Sequence, residues 1–292
     1  MDTLKNLLLK IPISNDPETS FNQTAKHLLS NVCLVVNGHS FRLIEIEFYL
    51  YNDKHSDVFA HCYKYQKTNF KWYFHHASDK EHSYKGGTYK GLDLTCGSVN
   101  SYGGILIRAI QDNEGKIIEG PCRVVNKILE LTKSANLLEL VTIKMNNNID
   151  ADNAILQLKS ANFNQETVFR CPRIGLTLKK SDNWSLRIQF ISKLYRFMIF
   201  PKMIAKGKKM TTMIAINEHD CQILGKYFNL NESSIQKLKL SMSEFSNYDI
   251  NSYKGKNLTD TERLELYFNH VVLFITAIPL KEKIKLKLKS TG

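Results

Sequence analysis

The chain has no apolar run approaching the roughly 20 residues that a membrane-spanning helix needs. Its most apolar stretch, Val271 to Pro279 (VVLFITAIP), is far too short. No secretory signal is expected either: the stretch MDTLKNLLLKIPISND carries Asp2 and no small-residue cleavage site after its short apolar run. The expected location is therefore intracellular, the cytoplasm or nucleoid in a bacterium. Cysteine is sparse and scattered. Cys33, Cys62, Cys96, Cys122, Cys171 and Cys221 form no CxxC pair, which argues against a thiolate zinc site and favours free thiols over a disulfide framework. Acid is in short supply: 28 Asp and Glu face 40 Lys and Arg, a net charge of +12. Such a balance favours a polyanionic partner, because each neutralised phosphate releases a counterion. A merely lysine-rich soluble protein gives the same balance.

What is present is enough to build a core. Hydrophobic residues make up 43% of 292 residues, which excludes wholesale disorder and leaves room for two domains or one large domain with an appendage. Leucines at helical spacing mark Asp2 to Lys10, and Glu18 to Leu29 reads as a second helix opening with a Pro-Glu-Thr-Ser start signal. Val32 to Val36, Asn37-Gly38 and Phe41 to Tyr51 read as a β-hairpin with an Asn-Gly turn. Lys71 to His76, Thr88 to Thr95, Gly104 to Ile110 and Arg187 to Ile191 read as further strands, and Cys122 to Leu131 as a helix. Strands and helices interleave, and the hairpins imply antiparallel or mixed pairing. The expected class is α+β: a curved antiparallel or mixed sheet with flanking helices and a mainly helical C-terminal addition. The expected domains are residues 1–200 and 201–292, with the boundary near Phe200 to Met210.

The segment FRLIEIEFYLY, Phe41 to Tyr51, is the most informative. On a strand, Leu43, Glu45, Glu47 and Tyr49 share one face, and Arg42, Ile44, Ile46, Phe48 and Leu50 the other. Two carboxylates and a phenol thus sit together in a stretch too apolar for an ordinary surface strand. Like charges on one face are expected to raise the pKa of one carboxylate, which suits it to deprotonate water. A half-exposed strand with a wet polar face is the alternative. His75-His76 follow an aromatic run, but adjacent strand residues point to opposite faces, so no metal pair is expected.

The run AKHLLSNVCLVVNGHSFRLIEIEFYLY, Ala25 to Tyr51, resembles the start of the alkyladenine (methylpurine) DNA glycosylase family, in which a hairpin carries "NG" and the next strand an E-x-E-x-Y motif. SDVFAHC, GGILIRAI, EGPCRVVNKIL and PRIGLTLKKSDNWSLRIQF with YRF follow in that family's order, so the resemblance spans about residues 25–198. The resemblance implies a monofunctional glycosylase that flips a modified base from double-stranded DNA and hydrolyses its N-glycosidic bond, leaving an abasic site. It implies that Glu47 activates the water and that Arg108 lies beside them. Tyr49 stacks on the base, and His61 reads the base or its phosphate. No cofactor or metal is implied, no membrane, and a monomer is expected. A non-catalytic nucleic-acid-binding protein on the same fold is the alternative.

Departures from the family stand beside this. SYKGGTYKGLDLTCGS replaces a Tyr-rich strand, and Asp93 falls where the family has an Asn that helps reject some bases. An acid there favours a donor-bearing or cationic base; otherwise Asp93 caps a turn. Tyr84 or Tyr89 supplies an aromatic, with Tyr89 counted among the substrate-binding residues. Further on, Lys206, Lys208 and Lys209 form a basic cluster expected to touch DNA phosphates. LGKYFNLNESSIQKLK reads as a helix-turn-helix or a plain helical hairpin, LTDTERLELYF as a capped helix, and Lys281 to Lys289 as a strand with a lysine face.

Overall fold

The computed structural model describes residues 1–78, 80–145, 148–180, 182–243, 245 and 249–277. The expected lysine-faced strand at Lys281 to Lys289 lies outside them. The chain divides into two compact units, one made of Met1–Ile174 with Leu194–Lys206, the other of Gly175–Lys193 with the residues from Gly207 on. Sequence placed a single boundary near residue 200; in the structure Gly175–Lys193 also groups with the later residues.

The first unit opens with α1 (Asp2–Lys10) and α2 (Pro17–Asn31). Asp16 caps α2 by accepting from the Thr19 N–H at 3.2 Å, and Pro17 fills the first turn, where no N–H is missed. The hairpin of β1 (Val32–Val36) and β2 (His39–Asn52) follows, with Asn37 at φ 44° and Gly38 at φ 82°, the two positive values that a type I′ turn requires. Next come β3 (His55–Ser56), β4 (Asn69–Phe74), β5 (Leu92–Cys96), β6 (Tyr102–Gln111), β7 (Ile117–Glu119) and α3 (Pro121–Leu131). The short α4 (Leu137–Glu139) runs on into a π turn, Leu140–Lys144; β8 (Leu156–Ser160) and β9 (Phe169–Cys171) follow. The strands form an open sheet in the order β4-β5-β6-β2-β1-β8, with every pairing antiparallel.

Segment Arg187 to Ile191, expected as a strand, is instead part of α5 (Trp184–Ile191) in the second unit. Its alternation is too short to separate period two from a helical face. Arg187 Nε donates back to the Asp182 carbonyl at 3.0 Å, tying down the first turn. The YRF segment beyond it supplies β10 (Arg196–Met198) to the first unit, where it pairs with β2 and β9.

Strand β2 has α2 on one face and the charged residues on the other. Ile46, Phe48 and Leu50 are fully buried, and Phe48 stacks on Phe21 of α2 at 4.6 Å, with Phe197 of β10 edge-on at 5.4 Å. Each such side chain contributes on the order of 1.5–3 kcal/mol by leaving water. This packing holds the strand rigid while its other face carries Glu45 and Glu47.

The second unit also contains α6 (Lys208–Glu218), α7 (Cys221–Phe228), α8 (Glu232–Ser243) and α9 (Asp260–Ala277). Thr259 and Glu262 form a reciprocal cap at the start of α9: Glu262 Oε2 accepts from the Thr259 N–H at 2.7 Å, and Thr259 Oγ1 from the Glu262 N–H at 3.2 Å. Among the described residues no helix is long and apolar enough to cross a membrane.

Candidate active site

Glu47 sits mid-strand and is fully buried. Its carboxylate takes three donors. The Ile174 N–H reaches Oε1 at 2.7 Å; the Tyr49 hydroxyl reaches Oε2 at 2.9 Å and Arg108 Nη1 at 3.3 Å. Tyr49 is two residues along the same face of β2, and Arg108 comes from the neighbouring β6. Register between these strands slips locally: Glu45 pairs with Ala109, whereas Ile46 pairs with Ile107. Such irregularities re-aim side chains, and this one falls where Arg108 turns onto both carboxylates.

Glu45 is held ionised by its neighbours. Its burial opposes ionisation, but Arg196 and Arg108 outweigh that and hold the carboxyl below its ordinary value. Arg108 Nε donates to Glu45 Oε1 at 2.8 Å, and Arg196 Nε to the same oxygen at 2.5 Å. Arg108 thus bridges the two carboxylates, and Arg196 adds a second cation beside Glu45. Burial, then the adjacent Glu47 charge, pushes the Tyr49 phenol well above its ordinary value, so it stays neutral and donates.

A third pair supports the first two. Arg173 grips Asp57 through both terminal nitrogens, at 2.5 and 3.0 Å, and donates to the Phe48 carbonyl at 3.1 Å. Its guanidinium lies 4.5 Å from the Tyr49 ring centroid and backs that ring. Three guanidiniums (Arg108, Arg173, Arg196) and three carboxylates (Glu45, Glu47, Asp57) are all buried, and their formal charges sum to zero. Sequence reading did not single out Arg173, Asp57, Arg196 or the Ile174 N–H. Arg173 and Ile174 lie in the PRIG segment and Asp57 in SDVF, both quoted for the resemblance without a role.

Across the sheet, cross-strand register puts Glu47, Leu106, Asp93 and Tyr73 in one row on one face. At about 4.8 Å between strands, Asp93 is roughly 10 Å from Glu47 along that row. Asp93 is buried, and its Oδ1 lies 2.8 Å from His75 Nε2. It therefore pairs with a histidine mid-strand and caps no turn. Gly104 clears its space: a Cβ there would come within 2.5 Å of Asp93 Oδ2. His75 packs edge-on against His61 with ring centroids 4.4 Å apart, and Lys85 Nζ donates to His61 Nε2 at 3.1 Å. Burial, with His75 and Lys85 alongside, pushes the His61 imidazole down to about 3, so it is the neutral, accepting ring near pH 7.

Two clusters thus emerge on one sheet: Glu47, Tyr49 and Arg108 together, and Asp93 with His61 through His75. Tyr89 joins neither; it ends a short turn, Gly87–Tyr89, and is 77% exposed. Tyr84 instead packs on His76 at 4.7 Å. Lys206, Lys208 and Lys209 are all exposed, and Lys209 Nζ donates to Thr261 Oγ1 at 2.9 Å. Among the described residues no group of three or more His, Cys, Asp or Glu is arranged to hold a metal.

Residues 16–200 match the methylpurine-DNA glycosylase family. The chain is also 35% identical over 225 residues to an uncharacterised protein of Acanthamoeba polyphaga mimivirus, an alignment covering 72% of this chain and 99% of that protein. The family match contains the E-x-E-x-Y strand, the Arg108 strand and the PRIG segment, whose Tyr49 hydroxyl, Arg108 guanidinium and Ile174 N–H converge on Glu47, and the chain belongs to the methylpurine-DNA glycosylase family, among DNA-binding glycosylases.

Proposed function

We propose that the protein is a monofunctional DNA glycosylase that flips a modified base out of duplex DNA and hydrolyses its N-glycosidic bond with water activated by Glu47. The observation that carries this reading is the buried Glu47 carboxylate held by Tyr49, Arg108 and the Ile174 N–H. Breaking the bond builds positive charge on the sugar, which a fixed carboxylate in a dry site stabilises strongly. Oε2 already accepts two hydrogen bonds and Oε1 one, so Oε1 is the oxygen that takes the proton from water. Arg108 holds the carboxylate in place through its 3.3 Å contact with Oε2. Tyr49, backed by Arg173, gives the flipped base an aromatic wall.

Asp93 meets the far edge of that base. His75 occupies Oδ1, and Oδ2 takes one long hydrogen bond from Gln66 Nε2 at 3.4 Å, so a lone pair on Oδ2 is left to accept from an N–H on the base. This favours a base presenting a donor, or a cationic one. Lys206, Lys208 and Lys209 contribute phosphate contacts, and Tyr89 offers an exposed aromatic ring for DNA to stack on. The test is single-turnover excision from duplexes carrying one methylated, deaminated or hypermodified base, developed with alkali. An alkali-labile product that disappears in Glu47→Gln supports the reading; retarded DNA without any product supports a non-catalytic binder.

A further inference from the structure

The helix pair α7 and α8 belongs to the second unit, outside all the chemistry above. α7 ends at Asn229, whose left-handed φ of 56° turns the chain, with its N–H bonded to the Gly225 carbonyl at 3.1 Å. Asn231 Oδ1 then accepts from the Ser234 N–H at 2.8 Å and starts α8. A connection this short, with both ends capped, sets a fixed angle between the helices. α6 packs against both, and Met213, Ile214, Leu224 and Ile235 are buried.

On α8 the buried Ile235 and the half-buried Leu238 lie on one side. Ser233, Gln236, Lys237 and Leu240, spaced i, i+3, i+4 and i+7, form an exposed stripe on the opposite side. It runs for about 10 Å at 1.5 Å per residue, and a B-DNA major groove of about 12 Å admits such a helix. From residue 221 to 243, Lys226, Lys237 and Lys239 are exposed and Glu232 is the only acid. The composition of the stripe suits a duplex: the Gln236 amide both donates and accepts, as a base edge requires, and the lysines suit flanking phosphates.

We propose that α8 is a second DNA contact, laid in the major groove of duplex outside the lesion, which raises affinity without taking part in excision. The full-length double variant Gln236→Glu/Lys237→Glu tests it. Fluorescence anisotropy with undamaged duplex between about 50 and 200 mM salt should show affinity at least tenfold weaker, and a log K against log salt slope shallower by about one unit. Melting temperature and the single-turnover rate at saturating protein should stay unchanged, because both side chains are exposed. Gln236→Ala/Lys237→Ala should move affinity the same way by less. Unchanged affinity in either folded variant overturns the proposal, as does a collapsed saturating rate, which would put α8 in the active site. A dimethyl sulfate footprint on the wild-type complex gives an independent reading. Guanine N7 protection away from the lesion, lost in the double variant, is expected; protection confined to the lesion, as when α8 serves a protein partner, refutes it.

Discussion

Replacing Glu47 by Gln tests the proposed chemistry with almost no change in shape. The amide retains one accepting oxygen. If that oxygen faces the Ile174 N–H, the NH₂ group faces Tyr49 and Arg108; the Tyr49 hydroxyl can turn to accept, and one hydrogen bond to a charged group is lost, whereas the opposite orientation loses the Ile174 bond instead. Either way the loss is about 1.5–3 kcal/mol. Arg108 keeps its Nε bond to Glu45, so the cation is not stranded. At about 2–4 °C per kcal/mol, Tm should fall by roughly 3–12 °C and the fold should survive. The rate should suffer far more. The charge that stabilises the sugar cation and the base that takes the water proton vanish together, at a cost of about 4 kcal/mol or about a thousandfold in rate. The assay is single-turnover excision with protein in excess over a single-lesion duplex, alongside a gel shift that should be unchanged. A folded Glu47→Gln protein that excises at the wild-type rate would refute the assignment.

Glu45→Gln should show the reverse pattern in stability: Arg108 and Arg196 lose their shared buried carboxylate, and breaking such a pair costs about 3–5 kcal/mol, read as a Tm drop larger than that of Glu47→Gln. Acid should weaken the fold through His61. Its folded value of about 3 lies below the roughly 6.5 of an unfolded histidine, so the unfolded chain binds an extra proton between those values and stability falls as pH drops through that window. His61→Gln should flatten this acid limb in urea midpoints measured at several pH values; an unaltered limb would contradict the assignment. Gly104→Ala should push Asp93 off His75, because its Cβ would fall 2.5 Å from Asp93 Oδ2, and should alter selectivity across a lesion panel while the protein stays folded. Alanine at Lys206, Lys208 and Lys209 together should make the salt slope of duplex binding shallower by about two to three units; an unchanged slope removes the cluster from the interface.

Local features of the fold were legible where local chemistry decides them. Asn37-Gly38 announced a hairpin because few other pairs adopt two positive φ values cheaply. The expected cap of α9 is a side-chain cap in the structure, whereas the cap of α2 is Asp16, one residue before the Pro-Glu-Thr-Ser signal. Glu47 and Arg108 were legible through the ordered blocks of the family, and the structure brings them to 3.3 Å. Partners of those residues were not legible, since nothing local links Arg173 to Asp57 across 116 residues, or Arg196 to Glu45 across 151. A helix at Trp184–Ile191 was missed because five alternating residues fit either period.

The distance between Glu45 and Arg196 has a consequence for how the protein is made. β2 and β6 leave the ribosome early and can pair as soon as both are out, yet β10 follows only after Gly175–Lys193, a stretch belonging to the other unit, has been synthesised. Until then Glu45 has Arg108 alone, and β9 lacks the strand beside it. The last stitch in the sheet is therefore also the point where the chain returns from its excursion: the Arg196 guanidinium closes on Glu45 and, through Nη2, on the Lys206 carbonyl at 2.8 Å. A nascent chain stalled before residue 196 would carry Glu47 and its strand but not a finished charge lattice. Completion of the site is thus timed to the late arrival of a three-residue strand.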